Sequence, residues 1–109
     1  MTNSNHSNYI SMYNGIEVID ALETRISAIK KTLTIVSELD KWEHRYAEGK
    51  WTIKEIVQHC IDCERIFSFR ALHIAREDQQ ILSFFDENLY VETSQANDRQ
   101  PEELIQELI

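Results

Sequence analysis

Ile16, Ile19, Leu22, Ile26, Ile29, Leu33 and Val36 follow one another at intervals of three or four residues. Only a helix, with its period of about 3.6 residues, gathers such positions into one apolar stripe. Glu17, Asp20, Glu23, Arg25, Lys30 and Lys31 fill the other faces, so the spacing predicts a helix over 15–38. A second pattern follows: Ile53, Ile56, Cys60, Cys63, Phe67, Ala71 and Ile74 predict an inward stripe on a helix over 51–76. Thr52 and Glu55 before it have the T-x-x-E spacing of a capping box, in which each side chain satisfies a free backbone N–H. With 2 Gly and 1 Pro in 109 residues, the chain lacks the turn residues that an all-β fold consumes. The fold class is all-α, a single domain whose first two helices form an antiparallel hairpin.

The remaining stretches are connections. Residues 1–13 are rich in Asn and Ser and read as a flexible N-terminus. Residues 39–50 break the period, with Trp42 and Tyr46 placed to cover one end of a bundle. Residues 77–100 show no sustained period and read as a long crossover or a lid, whose Ile81, Leu82, Phe84 and Phe85 must pack on the helices. Pro101 opens the start of a third helix over 101–109, Pro being suited to the first helical turn. Two turns are short for a stable helix, so the chain reads as an incomplete bundle.

Charge narrows the partners. With 11 basic and 19 acidic residues, the net charge of −8 opposes binding to nucleic acid or to an anionic membrane surface. A small-molecule or protein partner remains. No apolar run is long enough to span a membrane and no signal peptide is visible, which points to a cytoplasmic location. Cys60 and Cys63 form a C-x-x-C inside a helical pattern, away from the helix start where a redox pair gains its reactivity. They read as small core residues.

The run Gly49-Lys50-Trp51-Thr52-Ile53-Lys54-Glu55-Ile56-Val57-Gln58-His59 resembles the second-helix start of DinB-like proteins. Ile61-Asp62, Glu64-Arg65-Ile66-Phe67, Arg70-Ala71-Leu72 and Ile74-Ala75-Arg76 extend the likeness, and Phe85-Asp86-Glu87-Asn88 with Tyr90-Val91 is similar to that family's crossover. The resemblance implies a four-helix bundle with a long crossover between its second and third helices. It also implies a divalent metal, zinc or nickel, held by one histidine of helix 2 and an H-x-x-x-H pair on the last helix. Members transfer thiols or act on other small molecules at that metal. His59 matches the helix-2 ligand. The other histidines, His6, His44 and His73, include no H-x-x-x-H, so one of three expected metal histidines is present.

On the residues alone His59 has two readings. It lies beside Ile56, Cys63 and Ile66, where a half-buried histidine can bond a backbone or water partner, or ligate metal with Asp62 or Glu55 behind it. A catalytic zinc takes about three protein ligands. One histidine cannot supply them, and a symmetric dimer would bring two copies of His59, still short unless Asp62, Glu64 or a cysteine joins. His73 is about 21 Å further along the helix and cannot share an ion with it. The expectation is therefore a metal-dependent small-molecule or thiol transferase or hydrolase carrying part of its site. The alternative is a non-catalytic helical module that self-associates as a homodimer to complete a four-helix bundle.

Overall fold

The computed structural model describes Gly15 and residues 17–109, so the expectation for residues 1–13 lies outside the described residues. Those residues form four α-helices and no strand: α1 (Val18–Glu38), α2 (Ile53–Ala75), α3 (Glu87–Ser94) and α4 (Pro101–Leu108). A 3-10 turn, Ala96–Asp98, joins the last two. The chain divides after Leu33 into two compact units. In the first, Leu33 is buried while Ile19 and Leu22 are exposed.

Residues 34–109 are organised around α2. Its start is fixed by the capping box: Thr52 Oγ1 accepts from Glu55 N at 3.1 Å, and Glu55 Oε1 accepts from Thr52 N at 3.0 Å. The segment before it is tied back through Lys54 N to Trp42 O at 3.0 Å and Ile53 N to His44 O at 3.2 Å. Trp42 is buried and donates its indole N–H to Ser37 Oγ, whereas Tyr46 is largely exposed.

The two long helices end alike. After α1, Lys41 N bonds Val36 O and Asp40 N bonds Ser37 O. After α2, Asp78 N bonds His73 O and Glu77 N bonds Ile74 O. These are Schellman motifs, which close a helix around one left-handed residue. Asp40 (φ 52°) and Glu77 (φ 57°) occupy the positions that glycine usually takes.

The stretch 77–100 is not structureless. Asp86 Oδ1 accepts from Asn88 N and Leu89 N, both at 3.1 Å, and this cap starts α3. Val91 of α3, Ala96 of the turn and Leu104 of α4 are buried with Val57 and Ile61 of α2. They are the core, and α2 packs against all three later elements. The apolar patch expected to pack on the helices does so only in part. Ile81 and Phe84 are fully exposed, Leu82 and Phe85 are half-buried, and the Phe85 ring meets that of Tyr90 at 5.2 Å.

The buried side of α2 is not the predicted stripe. Lys54, Val57, Gln58 and Ile61 are buried, while Ile56, Cys60, Phe67, Ala71 and Ile74 are exposed. At about 100° per residue the two sets lie roughly 130° apart around the helix. The reading of both cysteines as core residues is corrected with them: both are free thiols, Cys60 exposed and Cys63 half-buried. The buried side can carry polar residues because each finds a partner. Lys54 Nζ donates to Asn97 O at 3.3 Å and lies 3.7 Å from Glu43. Gln58 bonds Asp62 and Arg99, and Thr52 Oγ1 meets Asn97 Oδ1 at 2.6 Å. Among the described residues no buried side-chain nitrogen or oxygen lacks a hydrogen bond.

Candidate functional site

His59 sits in the second turn of α2, on the flank between the buried side and the open apolar one. Its side chain retains 23 % of its exposure. Three elements converge on it. Trp51, just before the helix, places its ring 5.0 Å away at a 44° tilt. Cys63, one turn further along α2, holds its sulfur 3.4 Å from Nε2. Glu87, in the first turn of α3, brings Oε2 to 3.9 Å of the same nitrogen. Because Asp86 caps α3, the next residue is held against α2. Glu87, which the sequence places in the crossover, is thus a neighbour of the histidine.

The two carboxylates expected behind His59 are engaged elsewhere. Glu55 closes the capping box and pairs with Arg45 at 3.2 Å. Burial raises its pKa, but hydrogen bonds from Thr52 and Asn97 and the Arg45 charge outweigh this and hold it below the usual carboxylate value. Asp62 accepts from Gln58 at 3.1 Å. Glu87 and Trp51 are the neighbours that sequence spacing missed. Glu87 is 28 positions from His59, and its only local signal is the Asp-Glu-Asn start of a short helix.

The cysteines are held as thiols. Burial raises the Cys63 pKa, and Cys60, Asp62, Glu87 and Glu64 add to it. For Cys60 the causes are burial and then Glu64. A thiolate is the nucleophilic and metal-binding form, so this surrounding acidity works against both roles in the free protein.

The other histidines do not join His59. His73 Nδ1 lies 3.4 Å from Asp78 Oδ2 near the end of α2, His44 is exposed, and His6 lies outside the described residues. Among the described residues no group of three or more His, Cys, Asp and Glu is arranged to hold a metal ion. His59 with Cys63 and Glu87 therefore does not amount to a complete catalytic zinc set. Arg65 pairs with Glu107 at 2.6 Å, and Arg70 donates to Ser83 O at 3.3 Å with its charge over the Phe67 ring. No helix among the described residues is long and apolar enough to cross a membrane.

No curated protein and no solved structure matches the chain significantly. The family model of the DinB superfamily matches residues 21–109, which take in all of α2, α3 and α4 and most of α1. With an all-helical chain built around the capped helix that carries His59, that match makes this protein a member of the DinB superfamily.

Proposed function

We propose that this chain is a divalent-metal-dependent DinB-superfamily protein acting on a small molecule or a thiol, with His59 as its α2 metal donor. The observation that carries the reading is the position of His59. It stands where the sequence resemblance puts the family's helix-2 ligand, half-buried on a capped helix with Glu87 near its Nε2. A carboxylate beside a histidine can orient the ring and raise its basicity. Zinc or nickel at such a site supplies Lewis acidity toward a bound substrate.

Metal analysis of the purified chain after zinc or nickel loading and desalting tests the assignment. Substoichiometric metal is expected, falling at least tenfold in His59→Ala while helical content is kept. Stoichiometric metal that survives His59→Ala would overturn it.

A second reading has its own observation. Within residues 34–109, Ile56, Cys60, Phe67, Ala71 and Ile74 leave one long side of α2 uncovered. A non-catalytic module that pairs with a second copy through this side would complete a bundle by association.

A further inference from the structure

Three turns beyond His59, the second half of α2 and the irregular segment after it flank an open groove of about 450 Å³. This is within the range of small-molecule sites, roughly 300–1,000 Å³. Ile66, Phe69 and Leu82 supply apolar wall, and Arg65, Arg70, His73 and Asp78 supply the polar groups.

The charges in this groove are unequally engaged. Arg65 is bound to Glu107 at 2.6 Å. Asp78 turns one carboxylate oxygen to His73 Nδ1 at 3.4 Å and the other to the backbone N–H of Gln80 at 2.9 Å. Arg70 donates to a neutral carbonyl, Ser83 O, and among the described residues no carboxylate stands within ion-pair distance of it. The Ser83 bond leaves further N–H donors of its planar fork available, and that fork matches a carboxylate.

We propose that this groove binds a small organic monocarboxylate, its charge on Arg70 and its apolar body against Ile66, Phe69 and Leu82. One cation without an acidic partner, beside the Asp78 carboxylate, favours a single negative charge over a phosphate-like dianion. The apolar wall favours an aromatic or branched body over a hydrophilic one. The site lies about 16 Å along the helix from His59, so it is separate from the metal reading and stands without it.

The probe is 4-fluorobenzoate, titrated into the full chain and followed by its ¹⁹F resonance, with neutral 4-fluorobenzamide as comparison. The acid is expected to bind at millimolar concentration or tighter and the amide at least tenfold more weakly. Excess EDTA should leave the binding unchanged. Arg70→Ala should weaken the acid at least tenfold, and Arg70→Lys should recover part of the loss by restoring charge without the fork. If Arg70→Ala disturbs the helix, intermolecular NOEs in the unmodified chain replace it, expected from the bound ring to Phe69 and Leu82. Equal binding of acid and amide, undiminished binding in a folded Arg70→Ala, or NOEs to Ile56 and Ile74 instead would overturn the proposal.

Discussion

One side of α2 carries a lysine and a glutamine and is buried; the other carries isoleucines, a phenylalanine and a cysteine and is open. Hydrophobicity alone would place them the other way round. The buried side works because Val57 and Ile61 are buried where α2 packs on the elements that carry Val91, Ala96 and Leu104, while Lys54 and Gln58 receive partners from Asn97, Glu43, Asp62 and Arg99. Burying a polar group without a partner costs several kcal/mol, and with one it is nearly neutral. The open side has no such compensation. It retains apolar area that would favour any contact that removed it from water.

The largest effect should come from the buried side. Leu104 is completely buried, so Leu104→Ala should cost about 2–5 kcal/mol through lost burial and a cavity. Phe67, which is 55 % exposed, should cost under about 1 kcal/mol when changed to alanine. Urea denaturation of both variants at low protein concentration measures the contrast. Equal losses would mean that the two sides of α2 do not differ as described.

Association should show the reverse order. If the open side pairs with a second copy, sedimentation velocity at micromolar concentration should give a dimer. Phe67→Ser with Ile74→Ser should shift it to monomer, raising the dissociation constant at least tenfold with little change in monomer stability. A wild-type chain that stays monomeric up to a hundred micromolar would remove the self-association reading and leave the family reading intact.

The same contrast explains what could be read from the amino acids alone. Local signals were sufficient where the cause was local. Thr52 and Glu55 announced the capping box, Pro101 stands at the first turn of α4, and the all-helical class followed from long periodic runs with few turn residues. The buried side of α2 was not legible, because the reason Lys54 and Gln58 can be buried lies some forty residues away, at Asn97 and Arg99. The α3 helix was hidden for a different reason. Its eight residues are too few for a period to show, and the cap at Asp86 is its only strong sign. That omission reached the site, since Glu87 approaches His59 only because α3 exists. His59 itself stood out through family resemblance rather than spacing.

The ends of α2 offer the finest comparison. Its N-terminus has the residues its geometry asks for, Thr52 and Glu55, but its C-terminus does not. Glu77 holds the left-handed position of the Schellman motif at φ 57°, where a side chain costs roughly 1 kcal/mol or more and glycine costs little. Glycine also gives the unfolded chain more freedom, which takes back part of the gain. Glu77→Gly is therefore expected to stabilise the protein by about 0.5–1 kcal/mol, a rise of a few degrees in melting temperature. Glu77→Ala keeps the β-carbon and should give no such gain. Thermal unfolding of the two variants side by side separates backbone strain from the loss of the glutamate charge, because both remove the charge and only one removes the strain. If alanine stabilises as much as glycine, the charge near the helix C-terminus was the cost, as expected where the helix dipole disfavours an anion.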